Sequence, residues 1–217
     1  MTARIGLISD VHATPAPLAA ALDIFRERQV DTILCAGDIA GYGTQLEETV
    51  ALLAENSCRT ILGNHDLWSL SRLEDEKIFS GPTQAFLRSL YPVFEDRIAG
   101  KSLYMVHASP PDSLLQGIKL LDEDGVVMAE QKQAWAQALD GLPYDVLVVG
   151  HTHQVFAEQL GDLLVINPGS TAFNHTCAIL TLPERTVEQI TLPGYAPLLS
   201  WNWGMWENRG GGKREAR

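Results

Sequence analysis

The chain has 217 residues, 46% of them apolar, and a formal net charge of −11. That is one domain's worth of chain with material for a sizeable core, and its overall field does not draw it to nucleic acid or to an anionic membrane. No apolar run nears membrane-spanning length, and the opening MTARIGLISD is too short and polar for a signal peptide, so a cytoplasmic protein is expected. Cys35, Cys58 and Cys177 sit in apolar stretches without CxxC spacing and read as small buried hydrophobes in a reducing compartment.

In chain order, apolar runs of strand length alternate with helical patterns. RIGLIS (4–9) precedes a helix over 16–28, whose opening PAP suits a first turn. DTILCA (31–36) precedes a helix over 44–55, and RTIL (59–62) one over 82–90. SLYMV (102–106) is followed by a helix over 124–140, whose Met and Trp read as core. DVLVV (145–149), LLVIN (163–167) and CAILTL (177–182) complete the set, and from 155 onward strands and turns are expected. The runs are rich in Ile, Leu and Val and several lack alternation, as in strands buried on both faces. The pattern predicts an α/β fold with two packed sheets and helices outside. There is no repeat and no internal linker. Residues 1–197 read as a single domain. The tail 198–217 carries Trp201, Trp203 and Trp206, expected to pack on the protein's own surface in preference to forming a partner-binding patch. Its last eight or so residues are expected to be disordered.

The residues just past these strands carry the chemistry. Asp10 and His12 follow the first and Asp38 follows the second. Asn64, His65 and Asp66 follow the third, His107 the fourth, and His151 and His153 the fifth. Ligands of α/β sheets bind beyond the carboxyl ends of strands. Five of the six histidines stand at these ends, His175 being the exception. Each signal alone is weak, since a lone His or a Gly-Asp pair is more often structural. Even GNHD could be a turn held by its own side chains. Their coincidence at one edge is what carries weight. Mixed His, Asp and Asn donors suit manganese, iron, zinc, nickel or cobalt, and they are too many for one ion and about right for two. Two dications would bring +4 against −2 from Asp10 and Asp38, giving an acidic protein a positive site for an anionic substrate. Water between two such ions ionises near neutral pH and becomes a nucleophile.

Asp10-x-His12, Gly37-Asp38, Gly63-Asn64-His65-Asp66, His107 and Gly150-His151-x-His153 together resemble the five signatures of the calcineurin-like metallophosphoesterases, in order. INPGS (166–170) is similar to a stretch of the small prokaryotic, phosphodiesterase-type members. The resemblance spans most of the chain to about residue 190. It implies a four-layer α/β/β/α sandwich with the metal site at the strand C-terminal ends. It also implies that one ion is held by Asp10, His12 and His153 and the other by Asn64, His107 and His151. Asp38 would bridge them, and His65 would be no ligand but would stabilise phosphoryl charge or protonate the leaving group. Asp66 would orient His65 or the backbone, or serve as a plain turn residue.

Departures from relatives narrow the expected activity. Protein Ser/Thr phosphatases of the superfamily read GDxxDRG at the second signature, whereas this chain reads GDIAGYG, with Gly41 and Tyr42 at the Asp and Arg positions. That argues against protein phosphatase activity. His65 is present, unlike in the retromer subunit of this fold, which argues for an enzyme. With 217 residues and a net charge of −11, neither the extra domain nor the basic surface of the DNA-repair nucleases is expected. The expected function is hydrolysis of a small-molecule phosphodiester, or a monoester, by attack of metal-bridging hydroxide, with two divalent ions, manganese first. The alternatives are a non-catalytic scaffold and a phosphate-ligand sensor. No nucleic acid or membrane partner is expected, and oligomeric state is left open.

Overall fold

The computed structural model describes residues 1–73 and 81–201. In chain order these form β1 (Ala3–Ile8), α1 (Pro15–Glu27), β2 (Thr32–Cys35), α2 (Leu46–Glu55), β3 (Arg59–Thr60), α3 (Asn64–Leu73), α4 (Gly81–Arg88), β4 (Val93–Ile98), β5 (Lys101–Val106), α5 (Ala129–Ala138), β6 (Val146–Val148), β7 (Val155–Leu160), β8 (Leu163–Pro168), β9 (Thr176–Leu182) and β10 (Thr186–Thr191). Two mixed five-stranded sheets result, ordered β10-β9-β1-β2-β3 and β4-β5-β6-β8-β7. Strands β1, β2 and β3 run parallel in the first, and β5, β6 and β8 run parallel in the second.

The apolar runs lack alternation because both faces of each central strand are buried. Ile5, Leu7, Leu34, Leu103, Met105, Val146, Val148 and Ile166 meet between the sheets. Their neighbours Ile8 and Cys35 turn outward to the helices, packing with Leu18, Leu22 and Phe25 of α1, Leu53 of α2 and Leu87 of α4. Tyr104, Val106, Leu147 and Val165 turn the other way, toward Trp135 of α5 and the buried Ile118 and Leu120. The layering is therefore helices, sheet, sheet, helix. Burial at about 25 cal/mol per Å² of apolar surface drives both the pairing of the sheets and the docking of the helices.

Three local differences from the sequence pattern have physical causes. The helix over 124–140 is confined to 129–138, because Asp122 Oδ1 accepts the N–H groups of Asp124 and Val126 and turns the chain before the helix can begin. Trp135 of that helix is half-buried against the core rather than within it. The GNHD stretch opens a helix, α3, with Asp66 in its first turn, where a carboxylate is favoured. Strand β4 hid because VFEDRI is an edge strand with mostly exposed polar residues, paired to β5 alone.

Asp145, just before β6, ties the second sheet together at the end away from the strand tips. It accepts from Lys101 Nζ (2.9 Å), Ser102 N (2.8 Å) and Ser102 Oγ (2.9 Å). These bonds hold its carboxyl down at about 2, against about 3.9 in an unfolded chain. The stabilisation is therefore present above pH 4 and lost as pH falls through 2. Asp145→Asn should cost about 1–2 kcal/mol at pH 7 in urea unfolding. The gap from wild type should close between pH 4 and pH 2.

Candidate metal centre

The carboxyl ends of five strands, three from the first sheet and two from the second, meet at one mouth. The candidate donor set is thus assembled across the two sheets, not along the edge of one. Asp10 and His12 follow β1, Asp38 follows β2, and Asn64 begins α3 just after β3. His107 follows β5, and His151 and His153 follow β6. All but His151 are buried. Asp10, His12, Asp38, His151 and His153 have φ of 52°, 48°, 55°, 65° and 49°. A left-handed backbone at non-glycine residues costs of order 1 kcal/mol each and persists only where surroundings hold it. Here Asp10 N and His12 N donate to the carbonyls of Gly37 and Asp38, and His151 N donates to Asp10 Oδ2 at 3.0 Å.

The ring nitrogens show how the imidazoles are aimed. His12 Nδ1 lies 3.0 Å from the Ala40 carbonyl, His107 Nδ1 2.7 Å from that of Ala36, and His151 Nε2 2.9 Å from that of Leu115. A carbonyl only accepts, so each of these nitrogens carries the proton and donates it. The other nitrogen of each ring faces the centre, where a bound cation would take the place of any second proton, the arrangement metal-binding histidines adopt.

These free atoms fall into two groups. In the first, Asp10 Oδ1, His12 Nε2 and His153 Nε2 converge, with separations of 3.3 Å (Asp10–His153), 3.2 Å (His12–His153) and 3.9 Å (Asp10–His12). In the second, Asn64 Oδ1 is 3.0 Å from His107 Nε2 and 2.9 Å from His151 Nδ1, and Asp38 Oδ1 is 3.5 Å from His107 Nε2. Two atoms each about 2.1 Å from one ion lie roughly 3.0–3.4 Å apart; every separation here but Asp10–His12, at 3.9 Å, comes within about 0.1 Å of that range, as for a divalent transition metal. Without a cation, such close pairs are relieved by a shared proton, as between His107 and Asp38. When none is bound, the Asn64 amide can instead turn its NH2 to both imidazoles. Asp38 has a carboxylate oxygen near His12 and His65 on one side and near His107 and His151 on the other.

Electrostatics agree with a cation site. Burial alone would raise the Asp10 carboxyl, but the charge and hydrogen bond of His153, with His107 and His12, hold it well below the usual range. Burial likewise opposes ionisation of Asp38, and His107 lowers it. Burial pushes His12 down to about 4 and also lowers His151. Against its own burial, His107 rises to about 9 beside Asp38. The carboxylates thus stay ionised and demand positive charge nearby.

His65 differs from the other imidazoles. It is half-buried, and among the described residues neither ring nitrogen has a hydrogen-bond partner; only its main-chain N–H is engaged, donating to Asp38 Oδ1 at 2.9 Å. Its ring is held by Tyr42 and Trp68, with centroids 4.6 and 4.8 Å away. Gly41 makes this possible. With φ at +99°, a Cβ there would fall 2.5 Å from His65 Nδ1, so a side chain at this position would displace the ring. Asp66 points away from the mouth and accepts from Ala40 N (2.8 Å) and Gly63 N (2.9 Å), clamping two ligand loops together. Burial and the neighbouring Asp38 raise its carboxyl to about 7 against those two N–H groups. His175 is turned elsewhere, its ring stacked on Tyr195 at 4.0 Å. Trp201 packs on Phe173, while Trp203 and Trp206 lie outside the described residues.

Several supporting residues were not singled out from the sequence. Asn167 of INPGS donates to the Gly150 carbonyl (2.9 Å), and Ser170 Oγ donates to the Asp10 carbonyl (2.6 Å), so that stretch braces the first and last ligand loops. INPGS was visible as a pattern, but the carbonyls of Ala36, Ala40 and Leu115 carry no side-chain signal at all. Ser9 Oγ donates to Asp10 Oδ2 at 2.6 Å. Gly150 lets this pair sit where it does, since a Cβ there would lie 1.9 Å from Ser9 Oγ and 2.7 Å from Asp10 Oδ2. Gly150→Ala should therefore displace Asp10 and weaken metal binding at least about tenfold. It should also cost about 1–3 kcal/mol of stability. Competition with a chromogenic chelator reads the first and urea unfolding the second.

Residues 3–185 match the calcineurin-like phosphoesterase superfamily domain. The chain is 32% identical over 120 residues to an uncharacterized protein of Methanocaldococcus jannaschii, covering 49% of this chain and 49% of that one. It therefore spans about half the length of that relative. It is 26% identical over 176 residues to a phosphodiesterase of the same organism, covering 76% of this chain and 82% of the relative. A metallophosphoesterase from Sphaerobacter thermophilus shares the fold, with TM-score 0.67, 22% identity, and coverage of 88% of this chain and 89% of that one. Among the described residues no helix is long and apolar enough to cross a membrane. With its five signatures gathered at one mouth, the chain belongs to the calcineurin-like phosphoesterase superfamily.

Proposed function

We propose that the protein hydrolyses a small-molecule phosphoester, a diester in preference to a monoester, at two divalent transition-metal ions. Asp10, His12 and His153 would hold one ion, Asn64, His107 and His151 the other, and Asp38 would lie between them. The observation that carries this reading is the set of three ring-nitrogen bonds to the carbonyls of Ala36, Ala40 and Leu115, which turns the other nitrogen of each ring inward. Such ions, when bound, neutralise phosphoryl oxygens and acidify a water. Manganese is the first candidate, and iron, zinc, nickel or cobalt suit the same donors.

The chain's own residues do the rest. Asp66, Asn167 and Ser170 hold the ligand loops rigid. His65 presents an uncommitted imidazole at the mouth, lowered by burial; its ring N–H donates to a phosphoryl oxygen, and in the imidazolium form it gives its proton to the leaving oxygen and returns to neutral imidazole. The likeness to the Methanocaldococcus jannaschii phosphodiesterase favours a diester.

The test is hydrolysis of bis(p-nitrophenyl) phosphate by chelator-stripped protein, with and without added Mn²⁺. Turnover only with metal is expected. Metal uptake with no turnover across a panel of ions would turn the assignment to a scaffold or a phosphate sensor.

A further inference from the structure

His153 is held by means different from the other three histidines of the donor groups. Among the described residues its Nδ1 has no carbonyl partner. Instead its ring stacks on Phe173, with centroids 5.2 Å apart and planes 25° from parallel. Phe173 stacks in turn on Trp201 at 4.3 Å and 24°, and Trp201 also touches His153 at 5.2 Å. The main chain repeats this dependence. Trp201 N donates to the His153 carbonyl at 3.1 Å, and Val155 N donates to the Leu199 carbonyl at 2.8 Å. Asn174 Nδ2 joins the two segments, donating to the carbonyls of His153 (2.9 Å) and Leu198 (2.7 Å). His153 has a left-handed backbone, which needs such support.

We propose that Leu198–Trp201 is part of the metal centre. Trp201 is a positioning residue that, with Phe173, fixes the His153 ring in the way a carbonyl fixes the other three. It thereby sets the affinity of the ion held by Asp10, His12 and His153. The other ion, braced through Ala36 and Leu115, does not depend on this segment. The inference rests on the two-ion reading above. It makes the C-terminal strap, far in sequence from every signature, a selective control on one ion of the pair.

The experiment is titration of the metal-free full chain with Mn²⁺ by calorimetry and chelator competition, with melting temperature recorded alongside. Trp201→Ala should keep one ion as in wild type and bind the other about 10–100-fold more weakly, the usual effect of losing a supporting contact. Trp201→Phe, which retains a stacking ring, should return affinity to within about threefold of wild type. Two backgrounds assign the site. With His12→Ala, adding Trp201→Ala should leave the remaining ion unchanged; with Asn64→Ala, it should weaken the remaining ion. Wild-type affinity at both sites in Trp201→Ala, or equal weakening of both, would overturn the proposal while leaving the two-ion reading in place. A wild-type chain that binds no divalent ion would overturn both.

Discussion

The His65→Ala protein is expected to keep its ions and lose turnover by about 10²–10⁴-fold, the range for removing a general acid. The expectation follows from how little else His65 does. Its link to Asp38 is made by the main-chain N–H, which alanine retains. Its ring nitrogens carry no bond among the described residues, unlike the carbonyl-anchored imidazoles of His12, His107 and His151. Tyr42 and Trp68 grip the ring from two sides, so its removal leaves a small gap near the surface rather than a core cavity. Elemental analysis and the diester assay, run on the same preparation, read both halves. The ring does lie near His12 and Asp38. Loss of metal on substitution would therefore make His65 a ligand and remove its assignment as proton donor.

The Asp38→Asn change should be broader, weakening both ions by at least about 100-fold and taking activity with them. Asp38 is grouped with His12 and His65 on one side and with His107 and His151 on the other, as the proposed bridge requires. Asparagine keeps an oxygen able to accept the His65 N–H but carries no charge. One of the two buried negative charges that attract the ions is lost, and the His107 imidazole no longer has the partner that raises it to about 9. Asn64→Ala supplies the contrast, since it should impair chiefly one ion. Calorimetric stoichiometry separates the two cases: a single-site defect in Asp38→Asn would remove it from the bridging position.

Much of this architecture was legible in the linear chain, for identifiable reasons. Strands buried on both faces need continuous apolar runs, so DVLVV and LLVIN announced themselves. The edge strand β4 did not, because solvent on its face lets it be VFEDRI. The helix begun by Asn64 was hidden by the turn-like composition of GNHD, whose Asp66 spends its carboxylate on Gly63 N and Ala40 N. The donor types were legible because Asp, His and Asn at strand ends are side chains with distinctive chemistry. Their supports were not, because the carbonyls of Ala36, Ala40 and Leu115 belong to a backbone every residue shares.

The sequence by itself determined the layered α/β class, the list of candidate donors and the order in which strands deliver them, since period, chain order and residue chemistry are local properties. The grouping of the donors and a non-ligand His65 were implied by the family resemblance and not by local residue chemistry, and tertiary structure is what brings the donor atoms of each group together. It also brought Trp201 to brace His153. Those outcomes depend on two sheets meeting at their carboxyl ends and on left-handed backbone at Asp10, His12, Asp38, His151 and His153. Such a conformation is unfavourable in an isolated segment and is imposed only by partners distant in the chain.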